Sequence, residues 1–258
     1  MSALTKKQEA LIKALYTRHG RKKYDLCVCE GARCCSEVLA ASPQLIEFTV
    51  CADSFTAELG LTDEIIRLDD SEFMKLSSTI SSQGILMVVR KPEPVASVAV
   101  PADDFLFVLD RVGDPGNFGT ILRTAKAAGL TEVWYTTGSV DPFSDKVIRS
   151  AMAAQFSLTL REYPDLDALA SAALSFSYRR FYLTDPHCGA NCFTEKKLYD
   201  KSVIIIGSEA HGAGALAGAE KVMIPMPGNF ESLNAAQAAT IFLFEYVRRN
   251  SMENSSGI

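Results

Sequence analysis

Apolar and polar positions alternate along the first part of the chain in blocks that predict a small domain of helices and strands. Apolar residues recur at helical spacing over residues 4–16, and the lysines of that segment lie elsewhere around the predicted helix. Short apolar runs predict strands, and the segments between them predict helices. The predicted strands cover residues 24–29, 48–51, 65–68 and 85–89, and the predicted helices cover residues 34–39 and 71–76. This alternation is typical of an α/β fold.

The rest of the chain alternates more strictly. The runs Phe105–Leu109 and Val203–Ile206 are apolar at every position, which is typical of parallel strands covered on both faces. Further strands are predicted at residues 132–136, 156–160, 180–184 and 222–224. Helices are predicted at residues 121–128, 144–154 and 164–176, with a short one after residue 212 and a long one from residue 231 to 249. We therefore predict a second, larger α/β domain.

A proline-rich stretch separates the two patterns. Lys91-Pro92-Glu93-Pro94-Val95 contains two X-Pro steps, which favour extended backbone, and Pro101-Ala102-Asp103-Asp104 follows shortly after. Few core-forming residues lie between the flanking strands. We place the domain boundary near residue 97, so that the predicted domains are residues 1–97 and 98–258.

Composition limits the class of protein. Of the 258 residues, 48% are hydrophobic and 22% are charged, as in ordinary globular proteins. No apolar run approaches the roughly 20 residues of a membrane span, and the N-terminus lacks the apolar core of a signal peptide. We expect a cytoplasmic protein without a membrane partner. The seven cysteines lack the paired spacing of a zinc site, so we predict buried reduced thiols and no bound metal.

The charge distribution leaves one question open. A net charge of −5 argues against a protein that coats nucleic acid by bulk electrostatics. The densest positive run is Arg18-His19-Gly20-Arg21-Lys22-Lys23. It is either a solvated loop or a patch that contacts phosphates, and the sequence alone does not choose between them.

Three polar, glycine-rich loops follow predicted strands, at residues 110–119, 207–214 and 225–234. Ligands of open α/β sheets bind beyond the carboxyl ends of the strands, so three such loops indicate a ligand site. Their glycines do not match the dinucleotide or P-loop spacings, and no G-x-S-x-G elbow is present. In the third loop, Ser232 or Asn234 is either the cap of the following helix or part of a ligand wall.

The residues of these loops resemble the signatures of one family, the SpoU (TrmH-like) 2′-O-ribose RNA methyltransferases. The first signature is similar to Leu109-Asp110 followed by Asp114-Pro115-Gly116-Asn117-Phe118-Gly119-Thr120-Ile121-Leu122-Arg123-Thr124-Ala125. The second is similar to Ile206-Gly207-Ser208-Glu209-Ala210-His211-Gly212, and the third to Ile224-Pro225-Met226 with Glu231-Ser232-Leu233-Asn234. The match covers residues 105–249. More loosely, the first 95 residues resemble the family's small RNA-binding domain.

The resemblance implies a fold and an activity. Residues 98–258 would form an α/β trefoil-knot methyltransferase domain, and residues 1–97 a small α/β RNA-binding domain; the strand and helix periodicity does not itself indicate a knot. The partners would be RNA, with ribosomal RNA favoured over transfer RNA, and a second copy of the chain in a homodimer. S-Adenosylmethionine would be the methyl donor, held around Gly207, Ile224, Met226 and Leu233. The implied catalytic and substrate-orienting residues are Asn117, Arg123, Glu209, Ser232 and Asn234.

Two departures from the family pattern stand in these motifs. Ser208 replaces a common asparagine, and Ala235-Ala236-Gln237 follows the third signature where the family often has Val-Ser. We predict that Arg123 clamps an RNA phosphate, because a guanidinium stays protonated and is a poor general base. Glu209 would hold this arginine or a neighbouring loop. We take Arg18, Arg21, Lys22 and Lys23 as candidate RNA contacts.

Two alternative functions are weighed against RNA methyl transfer. One is an RNA-binding protein of the same fold that lacks turnover, which would be indicated by broken anchor residues in the signatures. The other is a generic nucleotide-binding α/β enzyme, which the absence of phosphate-loop motifs disfavours. The anchors at Asn117, Arg123 and Ser232-Leu233-Asn234 are all present. The sequence therefore favours the methyltransferase.

Overall fold

A computed structural model describes residues 3–57, 60, 65–96, 98–208, 212–228 and 231–255 of the chain. Up to the linker, the elements are α1 (Lys6–Leu15), α2 (Arg18–Tyr24), β1 (Leu26–Glu30), α3 (Ala32–Ala41), β2 (Ile46–Ala52), β3 (Ile65–Leu68), α4 (Asp70–Met74) and β4 (Ile85–Arg90). After it come β5 (Leu106–Asp110), α5 (Pro115–Ala127), β6 (Glu132–Thr136), α6 (Asp145–Ala151), β7 (Thr159–Tyr163), α7 (Leu166–Ser175), β8 (Arg180–Thr184), β9 (Ala190–Asn191), β10 (Ser202–Gly207), β11 (Glu220–Met223) and α8 (Ala235–Ser255).

The contacts divide the chain into two compact units. Unit 1 contains Met1–Glu93 and Asp141–Ser157, and unit 2 contains Pro94–Val140 and Leu158–Ile258. The first division falls at the predicted proline-rich linker. The second was not predicted, because we assigned residues 144–154 to the second domain. Ile148 and Phe156 are buried in unit 1 against a cluster that includes Cys29 and Met87, so apolar contacts hold this returning segment there.

Unit 1 is built on a mixed sheet with the strand order β1-β4-β2-β3 in the described residues. The β2–β3 pair is parallel, and β4 is antiparallel to both of its neighbours. Helix α1 packs Ile12 and Leu15 into the core, and its start is fixed by a capping box between Thr5 and Gln8. The helices and strands that were predicted for residues 1–97 are present within a few residues of their expected ends.

Unit 2 is built on a parallel sheet with the order β7-β6-β5-β10-β8-β11-β9 in the described residues. The predicted parallel α/β sheet is therefore confirmed. All residues of β5 and β10, the two fully apolar predicted strands, are buried at its centre. Since the strands are parallel, the segments after Asp110, Thr184, Gly207 and Met223 leave the sheet at one edge. That edge positions the candidate site.

Several predicted boundaries were wrong for local reasons. Helix α5 begins at Pro115, six residues before the predicted start, because the Asp114 side chain accepts a hydrogen bond from the Asn117 N–H (2.7 Å) and Pro115 suits a first helical turn. The basic run, for which a solvated loop was one of two interpretations, is helix α2, capped by Thr17. The described residues between 212 and 219 form turns rather than the predicted short helix, and strand β9 was missed.

No described helix is both long enough and apolar enough to cross a membrane.

Candidate functional site

A cavity of about 670 Å³ lies where β8, β10 and β11 end in unit 2. This volume is in the range of small-molecule binding sites. The predicted donor-binding residues Gly207, Ile224, Met226 and Leu233 all line it, as does Ser232. The sheet thus brings together the second and third signature loops, which are separated in sequence.

Gly207 permits the chain to fold back on itself at the end of β10. The Ser208 carbonyl accepts a hydrogen bond from the Gly212 N–H (2.8 Å), which draws the returning backbone over the end of the strand. A Cβ atom added at Gly207 would lie 1.9 Å from the Ala213 nitrogen and 1.9 Å from the Gly212 carbonyl carbon. Only glycine is compatible with this close approach.

A buried carboxylate holds the same loop from the other side. Asp110, at the end of β5, is paired in register with Gly207, and its Oδ2 accepts a hydrogen bond from the Gly214 N–H (2.8 Å). Its Oδ1 accepts from the Thr136 hydroxyl (2.7 Å), and Oδ2 also binds the Arg111 guanidinium (3.0 Å). Asp110 is therefore a positioning residue for the cavity wall. The available sequence signal was an acidic residue at the end of a fully apolar strand.

The wall that follows β8 was not predicted. Asp185 lines the cavity, and its Oδ1 accepts hydrogen bonds from the His187 N–H (2.8 Å) and the Cys188 N–H (3.0 Å). Its Oδ2 lies 2.8 Å from the Lys221 ammonium. Partial burial acts in the opposite direction, but the bonds from Lys221 and the two backbone N–H groups lower the pKa of Asp185 well below its usual value. An ionised carboxylate at the end of a parallel strand is a recognisable ligand-site signal.

Asn117 and Asn234 are brought together although they are far apart in sequence. The Asn234 Nδ2 group donates a hydrogen bond to the Asn117 Oδ1 atom (2.9 Å). The Asn234 Oδ1 atom accepts from the N–H groups of Ala236 (2.9 Å) and Gln237 (3.3 Å). One side chain therefore caps α8 and ties its start to the first turn of α5.

This geometry decides between the two interpretations of the third loop. Asn234 is the cap, and α8 begins at Ala235. Ser232 lies before the helix, is exposed, and lines the cavity. The prediction that the helix begins at residue 231 was wrong, since Asn234 satisfies the first free backbone N–H groups. The loop before the cap is a cavity wall.

Two predicted catalytic residues, Arg123 and Glu209, remain to be located. Arg123 is exposed on α5 and is not among the described residues that line it. Glu209 lies outside the described residues. The structure therefore joins Asn117 to Asn234, places Ser232 at the cavity, and leaves Arg123 on the outer surface of α5.

The basic run 18–23 is a helix in which Gly20 and Arg21 are buried, so one of its cations is not at the surface. Arg18, Lys22 and Lys23 are exposed. Arg21 is only 5% exposed; its Nε atom donates to Asp141 (2.7 Å), and its Nη1 atom donates to the Leu15 carbonyl (2.9 Å). The prediction of Arg21 as an RNA contact was therefore wrong, because its guanidinium is used inside unit 1.

In the described part of the chain, neither the cysteines nor a cluster of potential metal ligands forms a second site. Six of the seven cysteines are buried, and Cys188 is exposed. Burial raises the pKa of the Cys29 and Cys35 thiols well above the usual value, which keeps them protonated. Among the described residues there is no group of three or more His, Cys, Asp or Glu side chains placed to hold a metal ion.

Replacement of Asn234 should separate its two hydrogen-bonding roles. Asn234→Ala removes the cap and the bond to Asn117, so the free energy of unfolding should fall by about 1–2 kcal/mol. Asn234→Asp keeps the cap acceptor, so it should recover most of that stability. Denaturant unfolding measures both, with Gln237→Ala, an exposed change in the same helical turn, as the control. An equal loss in Asn234→Ala and Asn234→Asp would contradict the capping role.

Comparison with known proteins identifies a family whose members share these loops. Residues 104–244 match the model of the SpoU rRNA Methylase family. The chain is 30% identical to the 23S rRNA (guanosine(2553)-2′-O)-methyltransferase RlmP of Bacillus subtilis, over 90% of this chain and 92% of that protein. The matched range contains all three predicted signatures, so the predicted resemblance is confirmed.

Solved structures agree over almost the whole chain. A putative RNA methyltransferase of the TrmH family from Porphyromonas gingivalis superposes with a TM-score of 0.78 at 27% identity, covering 96% of this chain and all of the other. The SpoU methyltransferase AviRb from Streptomyces viridochromogenes, solved with AdoMet, gives a TM-score of 0.80 at 24% identity, covering 95% of this chain and 99% of that one. The second likeness shows the fold. The predicted methyl donor agrees with the cofactor named in that structure.

Proposed function

The chain belongs to the SpoU rRNA methylase family, and from this membership we propose that it transfers a methyl group from S-adenosylmethionine to a ribose 2′-hydroxyl of structured RNA. Ribosomal RNA is the preferred substrate over transfer RNA, as the name of the Bacillus relative indicates for that protein. The observation that carries the proposal is the cavity at the ends of β8, β10 and β11, where residues of two signature loops form one wall.

The cavity residues suit a sulfonium nucleoside. Ile224 and Leu233 provide apolar surface for a purine, and Gly207 and Gly212 of the folded-back loop line the same cavity. Asp185 provides a carboxylate that can accept hydrogen bonds from ribose hydroxyls. When bound, S-adenosylmethionine supplies an electrophilic methyl group.

The chain's own contribution to the reaction is positioning and charge. Ser232, at the cavity, orients the ribose that receives the methyl group, and the Asn117–Asn234 bond holds the neighbouring helix starts in place. Arg123 binds an RNA phosphate next to the target nucleotide and stabilises negative charge that develops on the hydroxyl oxygen. The proton passes to that phosphate or to water. Glu209 holds Arg123 or the loop that carries it.

The proposal also includes a trefoil knot and a homodimer. The trefoil knot implied by the family resemblance would thread the C-terminal segment through a loop of unit 2. A homodimer would bring Arg123 of one copy to an active site at the interface. In such a dimer, Arg123 can take part in the reaction although it is exposed on the surface of its own unit.

The test is methyl transfer from labelled S-adenosylmethionine to ribosomal RNA, followed by mapping of the modified nucleotide. Label at a ribose 2′-oxygen of one ribosomal nucleotide is the expected result. Calorimetry measures donor binding separately. No donor binding would overturn the enzyme proposal, whereas binding of donor and RNA without transfer to any RNA would favour a non-catalytic RNA-binding protein.

The exposed lysines of α2 should contribute to RNA affinity. Lys22→Glu with Lys23→Glu replaces two cations that contact phosphates in this proposal, so binding should weaken and its dependence on salt should decrease. The slope of log affinity against log salt should become shallower by roughly two units. Lys6→Glu with Lys7→Glu, an equal change of charge on the exposed start of α1, is the control. An equal effect from both pairs would contradict a specific contact at α2.

A further inference from the structure

The loop of residues 77–82, between α4 and β4 in unit 1, is organised around one buried carboxylate. Glu30, at the end of β1, is only 3% exposed. Its two oxygens accept hydrogen bonds from the Thr79 hydroxyl (2.8 Å), the Ser82 hydroxyl (2.9 Å), the Ser78 N–H (3.1 Å) and hydroxyl (3.2 Å), and the Ser77 hydroxyl. Four of the six residues of the loop are therefore bound to a single side chain.

Such an anchor gives the loop one conformation. Side-chain hydroxyls that would otherwise contact water are bound to a buried acceptor, and the Ser77 hydroxyl oxygen also accepts a hydrogen bond from the Thr79 N–H (3.0 Å). A loop that is ordered before binding loses little conformational entropy when a ligand is bound. The cavity of unit 2 does not include any residue of this loop. Donor binding therefore does not account for the ordered conformation of this loop.

The tip of the loop presents an apolar side chain to solvent. Ile80 is 98% exposed, the highest value among the exposed large apolar residues of the described chain. The residues on either side of it, Thr79 and Ser81, are polar, and Ser81 is exposed. A β-branched apolar residue has few rotamers, so it offers a stiff contact surface.

Cations flank this loop. The Arg149 Nη1 atom donates to the Ser78 hydroxyl (2.8 Å) and to Asp145 (3.0 Å). The Gln83 side chain, directly after the loop, accepts a hydrogen bond from the Ala32 N–H (2.8 Å) at the start of α3. Arg33, which follows Ala32, is exposed. Lys75, two residues before the loop, is also exposed. An apolar tip beside cations and hydroxyls matches a nucleotide, which has an apolar base face and an anionic phosphate.

We propose that the loop of residues 77–82 binds an unpaired base of the RNA substrate, with Ile80 against the base face and Arg33 and Arg149 near its phosphates. Proteins that recognise RNA by sequence mostly bind bases that are splayed out of loops and bulges, where the bases are unstacked. The inference rests on the proposed function, because it identifies a feature of the same RNA substrate. It assigns the contact to a surface of unit 1 other than the lysines of α2.

The experiment compares two RNA probes and three variants of the full chain. The probes are a hairpin with an unpaired loop and a fully paired duplex of the same length and charge, and their binding is measured by fluorescence anisotropy. Ile80→Ser should lower affinity for the hairpin about tenfold and leave affinity for the duplex unchanged; this loss is at the lower end of what removal of an aromatic base-stacking side chain costs, as suits a smaller aliphatic one. Ile80→Phe should retain or increase the preference for the hairpin.

Val98→Ser is the matched control, since Val98 is also apolar and 80% exposed. Because Ile80 is exposed, the unfolding midpoints of all variants should equal that of the unmodified chain. Unchanged hairpin binding in Ile80→Ser, or an equal loss in Val98→Ser, would overturn the base contact. Donor binding and methyl transfer by the unmodified chain are measured beside these assays, so a failure of the proposed function is seen separately from a failure of the loop contact.

Discussion

Gly207→Ala should abolish donor binding while the parallel sheet of unit 2 remains folded. The added Cβ would lie 1.9 Å from backbone atoms of Gly212 and Ala213, and backbone cannot move aside as a flexible side chain can. The loop after β10 must therefore shift by more than an ångström, away from its bond to Asp110. A misplacement of about 1 Å can cost a hundredfold in catalytic rate, and we expect a loss of the same order in donor affinity. Calorimetry with S-adenosylmethionine should show at least that loss of affinity.

Gly113→Ala is the control for this change. Gly113 also follows a strand at the same edge of the sheet, but a Cβ atom there would have no atom within 4 Å. We expect this variant to bind the donor as the unmodified chain does. Circular dichroism and denaturant unfolding would show whether Gly207→Ala remains folded. A folded Gly207→Ala protein with undiminished donor affinity would show that the loop at Gly207 does not form the donor site.

Arg123→Ala should reduce turnover about 10²–10³-fold and leave donor affinity unchanged. The size of the loss follows from the removal of a charge that stabilises the transition state. Donor affinity should not change, because Arg123 does not line the cavity in the described part of the chain. Arg123→Lys should recover only part of the turnover, since a lysine keeps the charge but cannot make the bidentate contact with a phosphate. Single-turnover kinetics with saturating donor and RNA would measure this step.

Lys126→Ala tests whether any cation on this surface would suffice. Lys126 is exposed on α5, one turn after Arg123, so its loss changes the charge of the same helix by the same amount. Turnover should be nearly unchanged in this variant. If Arg123→Lys retained almost full turnover with unchanged RNA affinity, the clamp on a phosphate would be incorrect, and a non-directional charge effect would replace it.

The family and the central strands were predictable from sequence because their signals are local. A run that is apolar at every position predicts a strand buried on both faces, and β5 and β10 are buried throughout. The signature residues Gly207, Ile224, Met226 and Leu233 were predicted to hold the donor, and all four line one cavity. The start of α5 was predicted less well, because the decisive bond joins Asp114 to a backbone N–H that no periodicity reveals.

Long-range contacts account for what the sequence could not indicate. Arg21 belongs to the most basic run of the chain, but its ion pair with Asp141 buries it, and these two residues are far apart in sequence. The segment 141–157 was predicted to belong to the second domain because it follows β6. Its apolar residues Ile148 and Phe156 instead complete the core of unit 1. No pattern of neighbouring residues indicates that a later segment of the chain packs into the first unit.

By itself, the sequence determined the family, the order of most strands and helices, and two of the loops that line the candidate cavity, because periodicity and signatures depend on neighbouring residues. Only the tertiary structure decided that Asn234 caps α8 and binds Asn117, that Asp185 and Lys221 complete the cavity wall, and that Glu30 orders a loop with Ile80 at its tip. The Asn117, Lys221 and Glu30 contacts join residues that only the folded chain brings together. The bonds that cap α8 and bind Asp185 to its backbone are local, but their geometry depends on turns that the residue pattern does not specify.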